Sequence, residues 1–289
     1  MIAGMARLLP EDPPRLGPYR LLGRLGSGPA GHVYLGRGAP RRGARKERAA
    51  VRALRPEQLR DRQQRARIRQ VADTVARGAR SPYVAAAHGC DLDGERPWMA
   101  REFVPGPGLP ALVGRYGPLP EEAVRALGGG LCRALAALHR SGVVHGDLAP
   151  GNVLLAADHP RVVDYGMSEG RHAPGDGRSP LPADDVFALG VVLAYAASAR
   201  MPFAGSLLPS ARESADLSGV PEGLRPTLTA CLHKTPEARP LPVALARRLD
   251  LDDAAERPAA SWLPGPWAHE IRTFAEAADG FGGRGLFRR

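Results

Sequence analysis

His145-Gly146-Asp147-Leu148-Ala149-Pro150-Gly151-Asn152, followed twelve residues after Asn152 by Asp164-Tyr165-Gly166, is the stretch on which the fold of this chain turns. From Val143 to Asp164 short apolar runs alternate with glycine, proline and asparagine, a pattern of short strands and turns. Towards the N-terminus, Ala50-Val51-Arg52 lies in a short predicted strand, 49–54. Before it, Gly26-Ser27-Gly28-Pro29-Ala30-Gly31 separates the apolar runs Tyr19–Leu25 and His32–Leu35, so the spacing predicts a hairpin with a glycine-rich turn. Such a turn means little alone in a chain with 35 glycines; the order of the runs means more. Between and beyond them the pattern predicts a helix over 56–79, with Leu59, Ile68, Val71 and Val75 at roughly helical spacing, and a strand over 98–104. After the Pro/Gly stretch at 105–110 the pattern turns helical. Pro120-Glu121-Glu122 opens a helix to about Ser141, Asp185–Ala199 is apolar all round and hence buried, and helices resume near Leu224 and Leu241. Near the end, Trp267, Ile271 and Phe274 share one face of a short helix, expected to pack on the helical region, before a Gly/Arg tail.

Composition narrows the class. The chain has 289 residues, 44% hydrophobic and 24% charged, with three cysteines, which excludes a disulfide-built miniprotein and a mostly disordered chain. Cys90, Cys132 and Cys231 are widely spaced and odd in number, the usage of a reducing compartment. The apolar run Val186–Ala199 is too short to span a bilayer, and Met1–Pro14 holds charges and prolines where a secretory signal would be apolar. A soluble, unprocessed, cytoplasmic protein is therefore expected. The net charge of +10 is concentrated: residues 37–80 hold 15 basic and 4 acidic residues. That stretch is either an arginine-coated solvent face or a docking patch for an acidic or phosphorylated protein partner. It contains no aromatic residue to stack on bases, which counts against nucleic acid. His139, His145 and Cys132 fit no standard zinc spacing.

Taken in order, Gly26-x-Gly28-x-x-Gly31-x-Val33, Ala50-x-Arg52, His145-x-Asp147 to Asn152, Asp164-x-Gly166, Asp185 to Gly190 and Arg239 resemble a bacterial serine/threonine protein kinase domain over residues 19 to about 249. The resemblance implies an α+β, two-lobed fold: an N-terminal extension at 1–18, a small antiparallel-sheet lobe at 19–103, a large mainly helical lobe at 104–250 and a tail at 251–289, with nucleotide between the lobes. It also implies ATP and Mg2+ as ligands. The backbone of Gly26, Gly28 and Gly31 would approach the phosphates, although Pro29 removes one N–H donor. Leu25, Val33, Ala50 and Leu154 would enclose the adenine, and the hinge Glu102-Phe103-Val104 would bond its edge. Asn152 and Asp164 would hold the metal, and Asp147 would orient the substrate hydroxyl.

The departures from the family pattern decide how function is read. The strand lysine that grips the phosphates is Arg52, which keeps the charge but not the compact ammonium. Its glutamate partner on the following helix is replaced by Val71, or by Gln70 if the register slips; Asp73 lies two residues on, about 200° around the helix. Ala149 stands where a lysine would stabilise the transferring phosphoryl group, a loss that costs about 10²–10³ in rate. Gly146 replaces an arginine that would read an activation-segment phosphate. Only 20 residues separate Asp164 from Asp185, so the peptide platform is shortened and Arg239 lacks its usual glutamate. Arg101, just before the hinge, would face the back of the adenine site, where a buried guanidinium needs a carboxylate; pairing with Asp164, blocking of adenine, and snorkelling to water all remain open. Three functions follow. The first is a pseudokinase acting as a regulatory or scaffolding module, the second a weakly active protein kinase, and the third a small-molecule phosphotransferase, which the His145–Asn152 run also resembles.

Overall fold

The computed structural model describes residues 5–28, 31–39, 43–77, 81–166, 181–203, 214–250 and 253–281. The expected roles of Pro29, of most of the 167–182 segment and of the Gly/Arg tail lie outside the described residues. The chain divides into two compact units. One comprises 1–80, 85–105 and 272–289, and the other 81–84 and 106–271. The first thus draws together the N-terminal extension, most of the expected small lobe and the end of the expected tail.

In the first unit, β1 (Arg15–Leu16), β2 (Tyr19–Gly28), β3 (Gly31–Gly38), β4 (Glu47–Ala53), β5 (Ala87–Asp91) and β6 (Trp98–Glu102) form one sheet in the order β1-β2-β3-β4-β6-β5, antiparallel throughout. Alternation sorts the side chains. Leu16, Tyr19, Leu21, Tyr34, Ala49, Val51 and Ala100 form a core on one face, joined by Leu8 and by Trp98, whose ring meets Tyr19 edge-on at 5.7 Å. Val33, Leu35, Ala50 and Arg52 therefore leave the other face. The helix expected over 56–79 is split: Pro56–Leu59 is a 3-10 turn, and α1 runs Arg62–Arg77. Ile68, Ala72 and Val75 form its buried stripe.

The second unit is mainly helical: α2 (Leu109–Tyr116), α3 (Glu121–Arg140), the ladder β7 (Val153–Leu155) with β8 (Pro160–Val162), α4 (Pro182–Ser198), α5 (Arg225–Cys231), α6 (Pro242–Leu249) and the first part of α7 (Gly265–Gly280). Glu121 and Glu122 sit in the first turn of α3, where they complement the helix dipole. Close approach explains the glycines inside α3, which cost helix propensity: a Cβ at Gly129 would meet Asp250 at 2.6 Å. As its all-apolar sequence predicts, α4 buries Val186, Leu189, Val192 and Leu193.

Candidate active site

In the first unit the structure places the expected nucleotide residues on the hairpin and the neighbouring strands, except Val104, which follows the end of β6. Gly26 and Gly28 close β2, Gly31 and Val33 open β3, and Val33 lies directly opposite Arg52, with Leu35 opposite Ala50. The glycines differ in what they are for. A Cβ on Gly31, at φ 116°, would overlap the carbonyl oxygen of Ala53, so packing demands glycine there. Among the described residues, a Cβ on Gly26 or Gly28 would meet no atom within 4 Å, and glycine is what a backbone that closely approaches a phosphate uses. Leu25 falls at an irregularity in the β2–β3 pairing, between Arg24 and Gly26. In the hinge, Glu102 accepts from the backbone N–H of Ala86 and donates its own N–H back to Ala86, while Val104 is buried.

Arg101 lies opposite Ala50 across β4 and β6, and cross-strand partners share a face, so its side chain leaves the sheet on the side of Ala50 and Arg52. It is 4% exposed, which rules out the snorkelling alternative, and one guanidinium nitrogen reaches the Met99 sulfur at 3.8 Å. The inward side of α1 offers Ile68, Val71, Ala72 and Val75. Its one acid, Asp73, is exposed, as is Gln70. No carboxylate of this helix stands where the family pattern has one.

In the second unit, one buried carboxylate organises the loop. Asp185, in the first turn of α4, accepts the backbone N–H of His145 and of Gly146, each at 2.8 Å, and bonds His139 Nε2 at 2.7 Å. His139 is thereby assigned to this scaffold. Gly166 donates its N–H to the His145 carbonyl at 2.9 Å, tying the two motifs together. Asn152 donates Nδ2–H to the Asp147 carbonyl at 2.6 Å, and its own carbonyl accepts from Val163 at 3.0 Å. The residue after Val163 is Asp164, held at φ 63°, in the left-handed region. Asp147, Asn152 and Asp164 are therefore brought together by the β7–β8 ladder, and all three are half-buried. The side-chain nitrogen of Asn152 is spent on Asp147, and the Asn152 amide oxygen and the Asp164 carboxylate are hard oxygen donors of the kind magnesium takes. Leu154 is half-buried on β7. Ala149 precedes the turn Pro150–Asn152 and brings no charge.

The sequence and the fold are each matched by comparison with known proteins. The family model for the protein kinase domain fits residues 19–181. The chain belongs to the protein kinase family, as a bacterial serine/threonine kinase domain. It is 36% identical over 90% of its length to the serine/threonine-protein kinase AfsK of Streptomyces griseus, and 36% identical over 89% to the probable serine/threonine-protein kinase PkwA of Thermomonospora curvata. It spans about a third of the length of these relatives. The crystal structure of the Mycobacterium tuberculosis PknI kinase domain matches 82% of this chain and 96% of its own, with a TM-score of 0.69 at 23% identity, so the α+β kinase fold holds. Among the described residues no helix is long and apolar enough to cross a membrane.

Within the kinase domain, sequence reasoning missed the partner that Arg239 finds. Its guanidinium donates to the Ala183 carbonyl at 2.9 Å and to Asp184 Oδ1 at 3.3 Å, and lies 5.0 Å over the Phe187 ring. Asp184 also accepts the Leu181 N–H at 2.9 Å, capping α4. The adjacent acids Asp184 and Asp185 were the available signal: two neighbouring carboxylates at a helix start point in different directions and hold different loops.

Proposed function

We propose that this kinase domain acts as a pseudokinase, a regulatory or scaffolding module whose output is binding. ATP and magnesium serve as ligands of the set Leu25, Gly26, Gly28, Gly31, Val33, Ala50, Arg52, Glu102, Val104, Leu154, Asn152 and Asp164, and the arginine-rich part of the small unit is the surface for an acidic or phosphorylated protein. The observation that carries this reading is the inward side of α1, which offers Val71 and no carboxylate to position the phosphate-gripping cation. Arg101, buried on the face of Ala50, narrows the space an adenine needs. Bound nucleotide would supply the terminal phosphoryl group for any transfer; the chain's own part is to offer the side-chain oxygens of Asn152 and Asp164 to the metal and to keep Asp147 oriented through Asn152.

A second reading, a weakly active protein kinase, is favoured by the hydrogen bonds of Asp185, which keep the Asp147 loop in place although the neighbouring cations are gone. One experiment separates the two. Thermal-shift titration with ATP, with and without magnesium, reads binding, because a ligand of the native state raises Tm. A transfer assay run beside Asp147→Ala reads chemistry. A magnesium-dependent shift with transfer no greater than in Asp147→Ala supports the pseudokinase; transfer abolished by Asp147→Ala supports the weak enzyme. Arg101→Met should raise nucleotide affinity, and an unchanged affinity would remove Arg101 from the account.

A further inference from the structure

The stripe Trp267, Ile271, Phe274, Ala278 of α7 continues to Phe281, and its two ends do different things. Trp267 and Ile271 are buried in the second unit, as the sequence led one to expect. Phe274 and Ala278 are not: they are buried in the first unit with Met5, and Leu25, Phe103, Ala277 and Phe281 pack against them. Leu25 and Phe103 are the residue just before the glycine-rich turn and the middle residue of the hinge.

Three further contacts converge on the same place. Ala6 pairs with Arg24 through two backbone hydrogen bonds, of 2.9 and 2.8 Å, so the N-terminal segment runs as a strap along β2. A Cβ on Gly23 would meet the Phe281 ring at 2.6 Å and the Ala6 carbonyl oxygen at 2.8 Å; glycine stands there because strap and aromatic ring both press on that strand. Arg48 of β4 donates to the Asp279 carboxylate at 2.8 Å and to the Asp279 carbonyl at 3.2 Å, fastening the end of α7 to the sheet. The contacts at Arg24 and Gly23 fall where β2 departs from regular pairing with β3, between Leu21 and Gly23 and between Arg24 and Gly26. A strand with two irregularities lacks ladder support there; the strap and the helix end supply it.

We infer that residues 272–281 are a positioning element for the nucleotide hairpin, in which Phe274 and Phe281, with Met5, hold Leu25 and Phe103 in their nucleotide-ready places. The affinity part of this inference rests on the proposal that the domain binds nucleotide; the ordering part does not. A hairpin base that is ordered only a tenth of the time binds its ligand about tenfold more weakly, because apparent affinity scales with the competent fraction.

The test compares the full chain with Phe274→Ala/Phe281→Ala, Phe274→Leu/Phe281→Leu and Asp279→Ala. Amide hydrogen exchange over 21–28 and 102–104 is measured without ligand, and ATP affinity with magnesium by thermal shift. The alanine pair should speed exchange in those two segments and leave α3 and α4 protected; ATP affinity should fall about tenfold, with the leucine pair recovering most of both. Asp279→Ala changes an exposed side chain and should give a smaller change of the same kind should the alanine pair fail to fold. Exchange over 21–28 unchanged in a folded variant overturns the inference. So does faster exchange with undiminished ATP affinity, which would leave a packing role alone. If the wild-type chain binds no ATP, the nucleotide part of the proposed function falls, and the exchange comparison still decides whether the helix end orders the hairpin.

Discussion

The loop 145–152 and the hairpin 19–38 are both irregular backbone carrying kinase motifs, and they are held in place by different means. The loop is tied from inside its own unit by Asp185, which is 1% exposed and takes two backbone N–H groups and a histidine. The hairpin is tied from outside the sheet, by a strap that precedes it and a helix end that follows the rest of the chain. A buried carboxylate at the start of a long apolar helix fixes atoms tightly and is costly to remove. A flank of Met5, Phe274 and Phe281 is adjustable, because apolar contact is non-directional. Drift has reached both sides of the site, the loop at Gly146 and Ala149 and the hairpin's unit at Arg52, Val71 and Arg101, so the two supports hold motifs that each keep part of the family pattern.

The largest way to break the comparison is Asp185→Ala. It strips acceptors from two backbone N–H groups and from His139, and at about 1–3 kcal/mol for each buried donor left without a partner the loss should come to about 4 kcal/mol in urea unfolding. A loss under about 1 kcal/mol would mean the loop is held by something else. Next in size is restoration of the drifted groups. Arg52→Lys, Val71→Glu and Ala149→Lys together should raise phosphotransfer by about 10²–10³ over the wild-type chain if the rigid loop is competent. No gain would locate the defect elsewhere, with Arg101 first.

The strap gives a third test, of about 2 kcal/mol. Asp12 accepts from Arg24 at two positions, 2.6 Å each, and from the Tyr34 hydroxyl at 2.7 Å, with its carboxylate 1% exposed. The bonded Arg24 guanidinium, with further help from the Leu9 N–H and the Tyr34 hydroxyl, holds its pKa down at about 2 from 3.8. The folded state thus favours the ionised form, so this stabilisation is complete above the unfolded value and is lost as pH falls from about 4 towards about 2. Asp12→Asn should cost about 2 kcal/mol at neutral pH and flatten the acid limb of the stability curve. An acid limb identical to that of the wild-type chain would release the strap from any role in stability.

What was legible follows from range. The hairpin, α3 and α4 announce themselves through local signals: glycine punctuation, Pro120 with two glutamates, and an unbroken apolar run. Asp147, Asn152 and Asp164 were found through motif order, and the ladder brings them together. Ala87–Asp91 was not foreseen as a strand, because Ala-His-Gly-Cys-Asp has no apolar alternation and becomes β5 only by pairing with β6. Leu109–Tyr116 was lost behind the Pro/Gly stretch before it. Asp12 reads as a surface acid in an extension, and only the distant Arg24 and Tyr34 make it a buried anchor. Phe274 read correctly as one side of a helix stripe, but a stripe does not say which surface receives it.

The smallest effect sharpens the contrast most. Asp184 is beside Asp185 in sequence, and it stands in for the glutamate that Arg239 lacks. Arg239 has other support, from the carbonyls of Ala183, His233 and Lys234 and from the Phe187 ring. Asp184→Ala should therefore remove a cap on the Leu181 N–H and one long ion pair, and cost about 1 kcal/mol. Arg239→Ala should cost more, since it removes a largely buried side chain and leaves several carbonyls without a donor. Equal and large losses from the two, with a double variant no worse than either single one, would instead make the Asp184–Arg239 pair a principal anchor. Adjacent aspartates would then share the fixing of the second unit's loops, and the rigid half of the comparison would rest on two carboxylates.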